Sequence, residues 1–140
     1  MQIAIMGAGA VGCYYAALLA RAGHAVTLIG RTNHIEAIHR QGLILETASR
    51  RETFEVSASV DVSALKDAEL VLFCVKATDT EAAGAAMAPM LSDNAIILSL
   101  QNGVDNAERL AALLGRAVMP VGVYRGGHGR TGARAPLRSR

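Results

Sequence analysis

A short apolar run, residues 2–6, breaks at once into Gly7-Ala8-Gly9-Ala10-Val11-Gly12 and then into an Ala- and Leu-rich stretch that ends before Gly23. That order constrains the fold more than any other feature of the chain. The run has the length and apolar continuity of a strand buried on both faces. Residues 10–22 read as a helix, with Gly23 as its C-terminal stop. Residues 25–29 are apolar with β-branched members and read as a second strand, so the first thirty residues make one βαβ unit. In that setting the glycine pattern acquires a physical meaning that it lacks on its own. Gly7 permits the tight turn out of the strand, Gly9 lets the backbone approach a pyrophosphate, and Gly12 lets the helix pack closely on the strand. The helix start then offers unpaired N–H groups and a positive dipole end to the phosphates. Gly7, Ala8, Gly9, Ala10, Val11 and Gly12 are therefore candidate dinucleotide-binding residues.

The alternation continues downstream. Residues 33–40 suggest a short helix with Ile35 and Ile38 inward, and residues 43–47 and 53–58 suggest a hairpin turning at 49–51. A turn of helix at 63–67, a strand at 70–75, a helix at 80–87 capped by Asp79, and a strand at 95–100 follow. A helix at 104–114, closed by Gly115, and a strand at 117–124 complete the pattern. Alternating elements of this length predict an α/β fold: a Rossmann-type, doubly wound, mostly parallel sheet with helices on both faces. Residues 1–124 form one domain in this reading, and a hydrophobic content of 51% is ample for its core.

No apolar run reaches the roughly 18 residues of a membrane span, and no basic stretch precedes Ile3 as it would in a signal peptide. A cytoplasmic location is the expectation. Cys13 and Cys74 make no disulfide framework and fit no zinc spacing, so buried, reduced thiols and no metal site are expected. Residues 125–140 differ from the rest: five arginines, no acid and no hydrophobic period. Without that segment the chain is slightly acidic. The segment has no aromatic residue to stack on bases and no amphipathic face, so neither nucleic acid nor membrane is an expected partner. It reads as a disordered tail or as a frameshifted one, since GC-rich DNA read out of frame tends to encode Arg, Gly, Ala and Pro.

The second strand ends in Gly30-Arg31, where an NAD-binding unit carries an acid for the ribose hydroxyls. A guanidinium there is instead a forked, permanently charged donor suited to a 2′-phosphate. Arg31 thus argues for NADP(H), with Asn33 and His34 as further polar contacts. Two more loops follow predicted strands at the end where open α/β sheets bind ligands: Val75-Lys76-Ala77 and Gln101-Asn102-Gly103-Val104. Lys76 adds a cation, and Asn102 a two-sided hydrogen bonder.

Taken together, these four segments in this order make the chain resemble the N-terminal, NADP-binding domain of the ketopantoate reductase (2-dehydropantoate 2-reductase) family, from Met1 to about Tyr124. The resemblance implies a Rossmann half and a helical half with the active site between them. It implies NADPH as hydride donor and the 2-keto group of ketopantoate as acceptor, in pantothenate biosynthesis. It assigns the pyrophosphate to Gly7–Gly12 and the 2′-phosphate to Arg31, sets Lys76 beside the cofactor, and sets Asn102 near the nicotinamide ribose and the substrate. The family's proton donor is a lysine of the helical half, assisted by a glutamate there. The only lysines here are Lys66 and Lys76, and Lys76 already has a matched role. No catalytic residue is therefore expected within the 140 residues. The expectation is a truncated or frameshifted form, inactive alone, whose small-molecule keto acid site needs a complementing C-terminal domain or a homo-oligomer. Two other readings stay open: a stand-alone dinucleotide-binding module, and the cofactor domain of a reductase for another 2-keto acid.

Overall fold

Strand β1 (Gln2–Met6) sends Ile3 and Ile5 to one side of a sheet and Ala4 and Met6 to the other, and all four are buried. The computed structural model, which describes residues 1–102 and 105–122, builds both layers from that alternation. On the first side lie helix α1 (Ala10–Arg21) and helix α2 (Thr32–Gln41), with Cys13, Ala16, Ala17, Ile35 and Ile38 against Ile3, Ile5 and Leu28. Helix α3 (Thr80–Met87) and helix α4 (Asn106–Leu114) cover the second side, where Met87 and Leu110 meet Val71, Phe73 and Ile97. Fully burying a side chain such as Phe73, Ile5 or Leu28 contributes roughly 1.5–3 kcal/mol relative to leaving it in water.

The other strands are β2 (Ala25–Ile29), β3 (Leu43–Glu46), β4 (Arg51–Phe54), β5 (Ser57–Ser59), β6 (Leu70–Phe73), β7 (Ile96–Ser99) and β8 (Met119–Pro120). Five of them join β1 in one parallel sheet in the order β5-β2-β1-β6-β7-β8. The chain winds outward from β1 through β2 to β5, then returns to the other side of β1 at β6. This is the doubly wound arrangement with a topological switch point between β1 and β6. The register keeps the strand ends level, with Met6 opposite both Ile29 and Phe73, and Phe73 opposite Ser99. Among the described residues no helix is long and apolar enough to cross a membrane.

Two expectations change. The second hairpin strand, expected at 53–58, is two separate pieces. Only β4 pairs antiparallel with β3, and its turn is closed by the Thr47 N–H donating to the Arg50 carbonyl at 2.8 Å. β5 instead joins the main sheet, parallel to β2, because Val56 and Ala58 pack on the first core cluster. The expected cap on α3 is also absent. Asp79 ends a 3-10 turn (Ala77–Asp79) at φ −102°, ψ 5°, outside the extended conformation that lets a capping side chain reach back to its helix. The expectations for Gly103, Val104 and residues 123–140, including the end of the last strand and the arginine-rich tail, lie outside the described residues.

Cys13 is buried, and its thiol donates to the Ala8 carbonyl at 3.5 Å, while Cys74 is half-buried. Burial pushes both thiols up from the ordinary 9.0 to about 12, with repulsion from Cys13 adding to the effect at Cys74. A raised pKa favours the protonated thiol in the folded state. Stability is therefore unaffected below about pH 9 and declines as pH rises from there towards 12. A thiol reagent at pH 8 should accordingly label both cysteines only after denaturation. Labelling of the folded chain at the rate of a free thiol would contradict this.

Gly12 packs directly beneath the turn. A Cβ there would run into the Gly7 carbonyl oxygen and lie 3.2 Å from the Ile5 side chain. Backbone cannot swing away as a flexible side chain can, so Gly12→Ala should cost about 3 kcal/mol or more in chemical denaturation. At Gly9 a Cβ would meet nothing within 4 Å, and Gly9→Ala should change stability by no more than about 0.5 kcal/mol. Equal losses in the two variants would refute this division.

Candidate functional site

The carboxyl ends of β1, β2, β6 and β7 lie side by side, so the loops that follow them share one edge of the sheet. At the centre is the glycine loop. Gly7 has φ +113°, a conformation that strains any other residue, and its N–H donates to the Ile29 carbonyl at 2.8 Å. A Cβ on Gly7 would come within 2.9 Å of the Cys74 carbonyl carbon. The turn is therefore wedged between β2 and β6. Gly9 then stands at the N-cap of α1, with no side-chain cap and no acid in the first turn. Open space above Gly9, uncapped N–H groups and the positive end of a helix of 12 residues make a cradle of the right sign for a pyrophosphate.

Arg31 follows β2 at the N-cap of α2, extended at φ −76°, ψ 156°, with its side chain 77% exposed. Nη2 donates to Asp79 Oδ2 at 3.3 Å. The carboxylate expected to cap α3 thus serves as the counter-ion of Arg31, reaching it across the end of β1. Lys76 follows β6, exposed, at the start of the 3-10 turn. Asn102 follows β7 and is exposed too. The sheet thereby brings Gly7, Ala8, Gly9, Ala10, Val11, Gly12, Arg31, Lys76 and Asn102 to one rim, with cations at Arg31 and Lys76.

Three features of this rim escaped the sequence reading. Gly30 is as constrained as the loop glycines, since a Cβ there would lie 2.6 Å from the Ala8 Cβ. Its place directly before Arg31 was the available signal. Gln101 bridges two loops: Nε2 donates to Thr80 Oγ1 at 2.7 Å and to the Val75 carbonyl at 3.2 Å, while Oε1 accepts from Ser99 Oγ at 2.9 Å. Arg109 on α4 forms a further tie. It donates to Glu81 Oε1 at 2.7 Å and to Asn106 Oδ1 at 2.8 Å, and Asn106 in turn donates to the Asn102 carbonyl. The hydrogen bond from Arg109 holds the Glu81 carboxyl below its ordinary range.

Known proteins share this arrangement. The family model described as ketopantoate reductase PanE/ApbA matches residues 3–136, past the Tyr124 limit read from the motifs. The 2-dehydropantoate 2-reductase of Pyrococcus horikoshii is 37% identical over 118 residues, which cover 84% of this chain and 38% of that protein. That of Halobacterium salinarum is 33% identical over 133 residues, covering 94% and 44%. The crystal structure of a PanE/ApbA family ketopantoate reductase from Ralstonia eutropha JMP134 superposes with a TM-score of 0.86 at 57% identity, over 90% of this chain and 42% of that one. The chain therefore spans well under half the length of these relatives. By sequence and by fold it belongs to the ketopantoate reductase (PanE/ApbA) family.

Proposed function

We propose that this chain is the NADP(H)-binding half of a reductase that converts 2-dehydropantoate to pantoate. One observation carries the choice of cofactor: at the rim beside the glycine loop, the end of β2 presents an arginine where an NAD site presents an acid. The residues fit the group. The cradle above Gly9 suits the pyrophosphate, and the exposed Arg31 guanidinium suits a 2′-phosphate as a charge-assisted, forked donor. Bound NADPH supplies the hydride for the 2-keto carbon. Gly7–Gly12 orient the dinucleotide, Arg31 anchors its phosphorylated ribose, Lys76 contributes positive charge, and Asn102 hydrogen-bonds at the nicotinamide side.

In this reading Asp79 weakens the site. With its carboxylate 3.3 Å from the guanidinium, an incoming dianionic phosphate meets repulsion as well as a competitor for Arg31. Titration of the purified chain by reduced-nicotinamide fluorescence should find NADPH bound about ten- to a hundredfold more tightly than NADH. Arg31→Ala should erase the preference, and Asp79→Asn should tighten NADPH about two- to fivefold. Equal affinity for the two cofactors, or a preference that survives Arg31→Ala, would disprove the assignment.

By family resemblance the keto acid binds between this half and a helical half, and the proton donor belongs to the helical half. Binding a cofactor without orienting an acceptor contributes little to rate. The 140 residues by themselves are therefore expected to show no ketopantoate-dependent oxidation of NADPH above background. Steady turnover by chain freed of host enzymes would overturn that expectation.

A further inference from the structure

The geometry points to Gln101 and Thr80 as a strap that positions the nicotinamide side of the site without touching the ligand. The inference rests on the cofactor reading given above. Ser99 and Thr80 are 3% and 1% exposed, and a hydroxyl so buried is costly unless it is hydrogen-bonded. Gln101 satisfies both. A glutamine amide has two N–H donors, and here one goes to Thr80 Oγ1 and the other to the Val75 carbonyl, while Oε1 accepts from Ser99. No donor is left on this side chain for a ligand. Its neighbour Asn102, by contrast, is exposed. Of two adjacent amides at the end of β7, one is fastened inward and the other is presented.

What the strap fastens matters as much. Val75 directly precedes Lys76, and Thr80 opens α3, so the two anchor points bracket the four residues 76–79. That segment carries both Lys76 and Asp79. The strap therefore fixes the separation between the loop after β6 and the loop after β7. In a doubly wound sheet those strands belong to the half that faces the nicotinamide, whereas β1 and β2 serve the adenylate half. Damage to the strap should thus fall unevenly along the dinucleotide, which a general loss of stability would not do.

The test uses NADPH and 2′,5′-ADP, which lacks the nicotinamide half, as two probes of the same chain. Gln101→Glu keeps shape and an acceptor for Ser99 but turns an acceptor on the Val75 carbonyl. It should weaken NADPH about tenfold while 2′,5′-ADP stays within about twofold of the unmodified chain. Thr80→Val removes the second anchor isosterically and should act in the same direction, about threefold, and Thr80→Ser should restore NADPH binding. The melting temperature, measured alongside, reports folding for each variant. Equal losses for both probes, or NADPH affinity unchanged in Gln101→Glu and Thr80→Val, would overturn the strap while leaving the cofactor assignment intact. Failure of the unmodified chain to bind either probe would overturn the cofactor assignment and the strap with it.

Discussion

The contact between Gly12 and the Gly7 carbonyl is the constraint on which the rest of the site depends. It exists because Gly12 has no Cβ, and it sets how closely α1 approaches the end of β1. Add a methyl group at Gly12 and the helix must withdraw, taking its N-terminus away from the switch point. The same approach presses Gly7 against the Cys74 carbonyl and Ala8 against Gly30, so that three strand ends converge on one turn. A Cβ on Gly9, in the middle of the same motif, would meet nothing within 4 Å. Two glycines of the motif thus serve packing, and the third serves whatever comes to the open side.

The polar groups at the rim follow a different logic from the core. An exposed ion pair such as Arg31–Asp79 contributes about 0–1 kcal/mol, too little to fold anything. Its effect is on occupancy: a guanidinium that would otherwise sweep through solvent has a resting partner beside the place where a phosphate would bind. Gln101, Ser99 and Thr80 lie deeper, where water competes less and an unmade hydrogen bond costs about 1–3 kcal/mol. The rim therefore combines a replaceable ion pair on its β2 side with a fixed network on its β6 and β7 side.

Much of this was legible in the sequence, for identifiable reasons. The βαβ start was readable because strand, glycine turn and helix each leave a local signature within thirty residues. Arg31, Lys76 and Asn102 were readable as a set because parallel strands carry the residues after them to a common edge, whatever the details of packing. β5 was not readable as a separate strand of the main sheet: Ser57-Ala58-Ser59 has little strand propensity, and it pairs with the waiting edge of β2. Asp79 looked like a helix cap because its sequence neighbours are those of one. Its true partner is 48 residues away, a distance at which local pattern carries no information. Gln101 was hidden by its neighbours in the Gln-Asn-Gly segment, where the turn-forming Asn-Gly pair draws attention first.

The missing cap on α3 connects these observations. A helix start without a side-chain cap leaves N–H groups and a positive dipole end unanswered. Here the Ala77 carbonyl accepts from the Thr80 N–H, and Glu81 in the first turn meets the dipole from within the helix. Arg109 of α4 clasps Glu81 in the first turn, keeping that carboxylate charged next to the dipole it complements, and Gln101 clasps Thr80. The first turn of α3 is consequently fixed by residues that follow β7 as well as by its own preceding turn. Arg109 also donates to the Ala77 carbonyl at 3.4 Å, and through Asn106 the same cluster reaches the backbone of Asn102. Lys76 and Asn102 therefore share one hydrogen-bonded support, so a displacement of either loop is resisted by the other. Had Asp79 capped α3 in the usual way, this support would still join the two loops, but Arg31 would have lost the carboxylate 3.3 Å from its guanidinium.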